Sequence, residues 1–257
     1  MVEVTSNAPN GTPNWVDLGV PDLKRAEEFY RAVFGWEFEE GTEETGYYTM
    51  CLLHGKPVAA IMPNPDPTAT TSWWNTYFAT DDSDGAAKRI ADAGGTVVME
   101  PMDVPGAGRL VMALDPHGGQ FGLWHGSGHI GTYYRDEPGA MTWSELETPD
   151  TKAASEFYGT VLERPVASMN VPDFDYLTVN VDDEPVAGLW GQPERGTSRW
   201  VTYFAVDDVD AAVQAATDAG GTVEKPAQDS PYGRFAVLQD PFGAAFSVMK
   251  LPEDAQG

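Results

Sequence analysis

The sequence predicts an α+β protein built from four β-α-β-β-β units, arranged as two tandem pairs. A long internal repeat is the first reason: residues 13–30 return as residues 141–158, so that Trp15 maps on Trp143 at an offset of 128. Shorter motifs return later in each half, namely Thr76-Tyr-Phe-Ala79 as Thr202-Tyr-Phe-Ala205, Ala93-Gly-Gly-Thr-Val97 as Ala219-Gly-Gly-Thr-Val223, and Asp115-Pro116 as Asp240-Pro241. The apolar spacing also changes repeatedly from two residues to about 3.6, as it does where strands and helices alternate.

The first unit begins with a strand over residues 14–20, because Val16 and Leu18 alternate with Trp15 and Asp17. Pro21-Asp22 is typical of a helix start, apolar residues then follow at helical spacing, and Gly35 ends the helix. Short apolar runs bounded by turn residues predict three more strands, over residues 36–39, 47–53 and 57–62.

A proline-rich stretch over residues 64–72 is predicted to be a linker, after which the same order of elements returns. The second unit has a strand at 74–80, a helix at 82–93, and strands at 96–99, 109–114 and 120–124. We therefore expect a flexible arm at 1–12, one domain at 13–125, a linker at 126–140 and a second domain at 141–251. Fusion of two such halves favours pairing within the chain, as a monomer or a weak dimer.

Composition narrows the range of partners. The 257-residue chain has a formal net charge of −25, which repels phosphate backbones and anionic lipids, so we expect neither nucleic acid nor membrane as a partner. No basic stretch followed by an apolar block begins the sequence, so a cytoplasmic location is expected. Cys51 is the single cysteine, which excludes an internal disulfide, and its apolar neighbours predict a buried thiol.

Two units side by side form a curved sheet whose concave face is a ready cavity, here called a cup. Because Val16 and Leu18 face the helix, Trp15 and Asp17 point into the first cup. Trp143, Glu145 and Glu147 point into the second cup by the same alternation, where Glu145 aligns with Asp17 and Glu147 with Gly19.

These motifs resemble the vicinal oxygen chelate superfamily, which contains glyoxalases, bleomycin-resistance proteins and extradiol dioxygenases. The likeness is carried by Val20-Pro21-Asp22-Leu23 with Phe29-Tyr30, by Ala-Gly-Gly-Thr-Val, and by Asp-Pro-x-Gly before a final strand. It is similar in particular to fused two-domain glyoxalase-like proteins, some of them labelled hydroxylases and some associated with aromatic polyketide pathways. The resemblance implies two tandem glyoxalase/bleomycin-resistance-type domains.

Most activities of this superfamily use a divalent metal that is held from the first and last strands of a unit. The resemblance places those first-strand positions on Trp15, Asn75, Trp143 and Val201, and the last-strand positions on about Ala60, Gly122, Gly188 and Ser247. These residues are poor ligands, and no histidine or cysteine follows His129. We therefore expect both cups to be free of metal and of any other cofactor.

The candidate catalytic residues are Glu145 and Asp17, since a carboxylate in an apolar cup has a raised pKa and can transfer protons. The alternative is that they cap backbone groups or pair with Arg109 or Arg234. Tryptophans offer a flat stacking surface for a ligand, although they also fill cores. The candidate ligand-binding residues are Trp15, Trp74, Asn75, Trp124, Trp143, Glu147, Trp200, Arg109 and Arg234.

The sequence therefore predicts a metal-free protein that binds a small aromatic or carbonyl-bearing molecule, such as a polyketide or a quinone, either as a binding protein or as an accessory enzyme. Two alternatives remain open at this point. One is a metal-dependent glyoxalase, dioxygenase or other lyase or oxidoreductase, and the other is an interaction protein whose cups are filled by its own tryptophans.

Overall fold

Each half of the chain forms one eight-stranded sheet in the computed structural model, which describes residues 2–64, 72–170 and 174–252. The elements as far as the end of the first half are β1 (Val2–Glu3), β2 (Pro13–Val20), α1 (Leu23–Phe34), β3 (Glu37–Glu39), β4 (Thr49–Leu53), β5 (Lys56–Pro63), β6 (Trp74–Ala79), α2 (Ser83–Asp92), β7 (Thr96–Val104), β8 (Gly108–Leu114) and β9 (Gln120–Gly126). Those of the second half are β10 (Tyr134–Arg135), β11 (Met141–Thr148), α3 (Thr151–Leu162), β12 (Val166–Ser168), β13 (Tyr176–Val181), β14 (Glu184–Gly191), β15 (Arg199–Ala205), α4 (Val209–Asp218), β16 (Thr222–Ser230), β17 (Gly233–Gln239) and β18 (Ala245–Lys250).

The strand orders of the two sheets correspond one to one. The first is β3-β4-β5-β2-β6-β9-β8-β7 and the second is β12-β13-β14-β11-β15-β18-β17-β16. In each sheet the first strands of the two units are antiparallel neighbours, and each of them pairs in parallel with the last strand of its own unit. The α+β fold of four β-α-β-β-β units is confirmed.

An aspartate caps every one of the four α-helices in the described chain. Asp22, Asp82, Asp150 and Asp208 each accept a hydrogen bond from the backbone N–H three residues on, which satisfies a donor that the helix itself cannot pair. Part of the large acidic excess therefore has a local role at helix starts.

The two halves pack together through the faces that carry the helices. Helix α1 packs on α4, α2 packs on α3, and the central strands β6 and β15 meet between them. Phe34 and Trp74 of the first half lie 4.9 and 5.3 Å from Phe204 of the second, measured between ring centroids. The faces of the two sheets opposite the helices, which are predicted to be concave, consequently lie on the outside of the pair.

Two reciprocal hydrogen-bond chains tie the halves together. The Tyr30 hydroxyl donates to Asp240 of the other half at 3.1 Å and accepts from the Trp74 indole at 3.1 Å. Tyr158 donates to Asp115 at 3.1 Å and accepts from the Trp200 indole at 2.9 Å. The repeated Phe-Tyr and Asp-Pro motifs are thus the two sides of one contact, which was not predicted from their separate positions in the sequence.

Three segments differ from the sequence-based expectation or lie beyond it. The stretch predicted to be a flexible arm contains β1, which pairs with β10, and Asn7 Nδ2 donates to the Gly126 carbonyl at 2.8 Å. Strand β7 extends five residues past its predicted end, through register shifts on either side of Met99. The predicted linker at 64–72 falls, apart from its end residues, outside the described residues.

No helix among the residues described is both long and apolar enough to cross a membrane.

Candidate functional site

The alternation predicted for the first strand of each half is confirmed by the packing. Val16 and Leu18 belong to the core beneath the helices, whereas Trp15 packs with Tyr77, Met112 and Trp124 on the concave face. In the second half Trp143 likewise packs with Tyr203, Val201, Phe235 and Met249. This places the carboxylates of Asp17 and Glu145 on the face of each sheet opposite the helices, the face predicted to form a cup. Each carboxylate with its hydrogen-bond donors is called here the floor of that cup.

Asp17 is buried and holds three hydrogen bonds. Its Oδ2 accepts from the hydroxyls of Tyr48 at 3.0 Å and Tyr77 at 2.8 Å, and its Oδ1 accepts from Asn75 Nδ2 at 2.8 Å. Trp15 donates its indole N–H to Tyr48 at 2.8 Å. Burial raises the pKa of Asp17, although the hydrogen bonds from Asn75, Tyr77 and Tyr48 oppose this rise.

The first cup is covered by its own chain. The His129 ring meets Trp15 edge-on, with ring centroids 4.3 Å apart, and the Trp124 indole donates to the His129 carbonyl at 2.8 Å. Burial lowers the pKa of His129 to about 4, so this imidazole is uncharged at neutral pH. Trp15 and Trp124 are both buried in consequence.

The second cup repeats the floor of the first cup with a longer carboxylate. Glu145 accepts from the Tyr176 hydroxyl at 2.8 Å and from the Tyr203 hydroxyl at 2.9 Å, and Trp143 donates to Tyr176 at 3.0 Å. Trp143 remains partly exposed. Beside it Phe174 stacks on Tyr176 with centroids 5.1 Å apart, and its side chain is 39% exposed. The second cup thus offers aromatic surface that solvent can reach.

The pKa of the buried Glu145 carboxyl lies near neutrality. Burial raises the pKa of its carboxyl from 4.5 to about 7, opposed by the hydrogen bonds from Tyr176 and Tyr203 and assisted by the nearby charge of Glu147. A carboxyl with this pKa is a mixture of acid and carboxylate at pH 7, so it can either donate or accept a proton.

Glu147 lies at one end of the second cup and contacts three cations. Its Oε2 is 2.7 Å from Arg199 Nε and 3.0 Å from Arg195 Nη1, and its Oε1 is 3.1 Å from Lys225 Nζ. Lys225 Nζ also lies 4.0 Å from the centre of the Trp190 ring, a cation–π contact. Glu147 is therefore a buried charge with full compensation.

Several of the predicted ligand-binding residues lie outside both cups. Trp74 and Trp200 face the helices and donate to Tyr30 and Tyr158 in the core between the halves, because odd and even positions of β6 and β15 point to opposite faces. Arg109 pairs with Asp84 of α2 and with Asp103, and Arg234 pairs with Asp210 of α4 and with Asp229. These arginines lie on the helix side of their sheets and contact neither Asp17 nor Glu145.

Tyrosines are the part of the site that sequence reasoning missed. Tyr48 and Tyr176 share the offset of 128, and Tyr77 and Tyr203 lie within the repeated Thr-Tyr-Phe-Ala motif. That repeat was visible in the sequence. What the sequence lacked was the side-by-side placement of β2 with β6 and of β11 with β15, which brings Tyr77 to Asp17 and Tyr203 to Glu145.

The residues of the cups do not fit a catalytic metal. A Cβ atom at Gly122 would lie 2.2 Å from the Tyr77 ring, and one at Gly188 would lie 2.0 Å from the Tyr176 hydroxyl. Tyrosine therefore occupies the space that a ligand side chain at either position would need. Within the described ranges no group of three or more histidine, cysteine, aspartate or glutamate residues is placed to hold a metal ion.

Two sets of known proteins resemble the chain along most of its length. It is 40% identical over 247 residues to the putative glyoxylase CFP32 of Mycobacterium tuberculosis, covering 93% of this chain and 95% of that protein. It is 38% identical over 266 residues to the anthracycline biosynthesis protein DnrV of Streptomyces peucetius, covering 97% of this chain and 96% of that protein.

Among solved structures the Mn(II)-bound glyoxalase from Novosphingobium aromaticivorans has the same fold, with a TM-score of 0.67 at 18% identity, over 94% of this chain and 82% of that one. Residues 12–123 match the Glyoxalase/Bleomycin resistance protein/Dioxygenase superfamily, and residues 143–249 match a glyoxalase-like domain. With the fold, both sequence matches and the full-length relatives in agreement, this chain belongs to the glyoxalase/bleomycin resistance protein/dioxygenase superfamily.

Proposed function

We propose that this chain is a cytoplasmic, metal-independent protein that binds a planar aromatic molecule with a carbonyl group in its second cup, and that Glu145 exchanges a proton with that molecule. The observation that carries the proposal is the setting of Glu145: one carboxyl, two phenol donors and a partly exposed tryptophan on a concave face. The similarity to an anthracycline biosynthesis protein supports an aromatic polyketide as the ligand class.

Apolar and aromatic side chains supply most of the binding surface. Phe174 and Trp143 present ring faces and edges, and each offers large apolar area at small conformational cost. The polar groups at the floor would fix the orientation of the ligand, since a carbonyl oxygen can accept a hydrogen bond from the protonated form of Glu145. Proton transfer follows if a carbon acid or hydroxyl of the ligand lies within hydrogen-bond reach of that carboxyl.

Calorimetric titration with 2-methoxy-1,4-naphthoquinone, a neutral planar carbonyl compound, tests the binding step. We expect saturable binding that Trp143→Leu weakens at least tenfold and that Trp15→Leu leaves within about twofold, because Trp15 is covered by His129. Treatment with a chelator, and addition of Mn²⁺ afterwards, should leave the affinity unchanged. Binding that appears only with Mn²⁺ would instead support a metal-dependent lyase or dioxygenase.

The proton-transfer step needs a separate measurement. Deuterium exchange into the α-carbon of 2-tetralone, followed by NMR, should be accelerated by the unchanged protein and not by Glu145→Gln, which preserves shape and removes the titrating group. Asp17→Asn is the matched control and should keep the rate, since Asp17 lies beneath the covered cup. If deuterium exchange were equally fast with and without the protein, the proton-transfer step would be contradicted and only the binding role would stand.

A further inference from the structure

Three cations surround a single carboxylate at the end of the second cup, although the chain as a whole is strongly acidic. Lysine and arginine number 15 against 40 aspartates and glutamates, yet Arg195, Arg199 and Lys225 all lie within 3.1 Å of Glu147. Arg199 also pairs with Glu224, which brings two carboxylates to the three cations. These five side chains therefore carry a net positive charge on a chain of net charge −25, and the partly ionised Glu145 nearby offsets part of it.

These cations lie where a ligand in the cup could reach them. Lys225 projects from β16, at the edge of the sheet, to Glu147 of β11 and Trp190 of β14 in the other unit, so it spans one end of the concave face. The side chains of Lys225 and Arg195 remain about 29% and 31% exposed. Both retain N–H donors beyond those used by Glu147.

Positive charge exceeds what the two carboxylates balance. Burial lowers the pKa of Arg195, and the neighbouring Arg199 guanidinium lowers it further, while Glu147 and Glu224 oppose the effect. Removal of the guanidinium proton would require strong base, so Arg195 stays charged at neutral pH. An additional anion at this point would be attracted by an excess of positive charge.

The cluster is not needed to build the sheet, as the first half demonstrates. The positions that correspond to Glu147, Trp190, Arg199 and Lys225 are Gly19, Met62, Trp73 and Met99. The same strands form there without any ion pair among these four residues, and Trp73 and Met99 are 44% and 42% exposed. A structural role alone does not account for three cations in one half and none in the other.

We propose that this cluster of Arg195, Arg199 and Lys225, called here the basic rim of the second cup, selects an anionic aromatic ligand. Lys225 and Arg195 bind a carboxylate, phenolate or enolate oxygen of that ligand, and its ring system lies toward Trp190 and Trp143. The inference rests on the proposed function and adds the charge of the ligand to it. A planar anion satisfies the surplus donors, while the aromatic wall holds its uncharged part.

A matched pair of probes separates this inference from the proposed function. 2-Hydroxy-1,4-naphthoquinone is an anion at neutral pH, and 2-methoxy-1,4-naphthoquinone is its neutral counterpart of similar shape. We expect calorimetry in 50 mM salt to give at least tenfold tighter binding of the anion, and the difference should shrink as the salt concentration rises.

The variants Lys225→Met and Arg195→Gln should each reduce the preference for the anion at least fivefold and leave the affinity for the neutral probe within twofold. Methionine is chosen because Met99 stands at the corresponding position of the first half. Arg234→Gln is the control, since this arginine of the same half lies on the helix side.

Equal affinity for the two probes, or equal losses for both in the rim variants, would overturn the anionic preference and leave the proposed function standing. If neither probe bound, the anionic preference and the proposed function would both be contradicted. Thermal unfolding of each variant shows whether a loss of binding arises from a loss of folded protein.

Discussion

The two cups have the same groups at their floors, but they differ in the charged residues at one end and in what covers them. At the floor of each, a carboxylate accepts hydrogen bonds from two tyrosines, and a tryptophan donates to one of those tyrosines. Above the first floor His129 packs on Trp15, whereas Trp143 stays partly exposed. Duplication has therefore preserved the groups that hold the strands together at the centre of each sheet and changed the groups that a ligand would meet.

The ends of the two cups differ in charge. Glu147, Lys225 and Arg199 occupy positions that are glycine, methionine and tryptophan in the first half. The first cup has uncharged residues at these positions, and its tryptophans Trp15 and Trp124 are buried.

Replacement of Trp15 or Trp143 should give the largest difference in stability between the halves. Trp15→Ala removes a buried side chain between His129 and Tyr77, and should lower the free energy of unfolding by about 3–5 kcal/mol. Trp143→Ala removes a partly exposed ring, so its cost should be roughly half of that or less. Urea unfolding of both variants makes the comparison, and equal losses would mean that the second cup is packed as fully as the first.

The pH dependence of stability gives the next effect, because the pKa of Glu145 is raised to about 7 in the folded protein. The folded state then holds this proton more tightly than the unfolded chain, so the stabilising contribution is present below about pH 4.5 and is lost as the pH rises through 7. The loss amounts to about 3 kcal/mol. From pH 5 to pH 8, urea unfolding should show Glu145→Gln gaining about 2.5 kcal/mol of stability relative to the unchanged protein, because part of the loss has already occurred at pH 5.

Asp17→Asn is the corresponding variant in the first cup, and it too should gain stability relative to the unchanged protein as the pH rises. The pKa of Asp17 is also raised by burial, so its contribution has the same sign and is lost as the pH rises above its unfolded value. A difference between Glu145→Gln and the unchanged protein that is the same at pH 5 and pH 8 would contradict a raised pKa of Glu145.

The fold could be predicted from the sequence because its signals are local and occur twice. Alternation fixed the cup side of Trp15 and Asp17, and the Pro-Asp pair fixed where α1 begins. The twofold sequence repeat, together with the order of elements that returns within each half, predicted four units, and the structure has two sheets of corresponding strand order.

The site was predictable only in part, because it depends on contacts between elements distant in the chain. Glu145 could be placed on the concave face from its own strand, but its partner Tyr203 lies 58 residues away. The sequence predicts ligand binding by Trp74 and Trp200, because the residue type tryptophan does not indicate which face of a strand the side chain lies on. Their indoles instead bind Tyr30 and Tyr158 between the halves.

Removal of one phenol tests the shared floor. Tyr203→Phe takes away a donor to Glu145, which should raise the pKa of Glu145 above about 7 and cost about 2 kcal/mol of stability at pH 8, with less cost at pH 5 where the carboxyl is protonated. Infrared titration of the carboxyl band follows the pKa. Tyr77→Phe is the control in the other cup, where Asp17 keeps hydrogen bonds from Tyr48 and Asn75 and the effect should be smaller.

The smallest effects on stability and binding should come from Arg109 and Arg234. These arginines lie on the helix side of their sheets and have equivalent partners in the two halves. Arg109 and Arg234 each bind one aspartate of the neighbouring helix and one of the preceding strand. Because their partners are exposed, water replaces most of the lost interaction, and Arg109→Gln and Arg234→Gln should leave the urea midpoint almost unchanged. Both variants should also bind 2-methoxy-1,4-naphthoquinone as the unchanged protein does. A selective loss of binding in Arg234→Gln would mean that the ligand reaches the helix side of the second sheet and that the concave face is not the site.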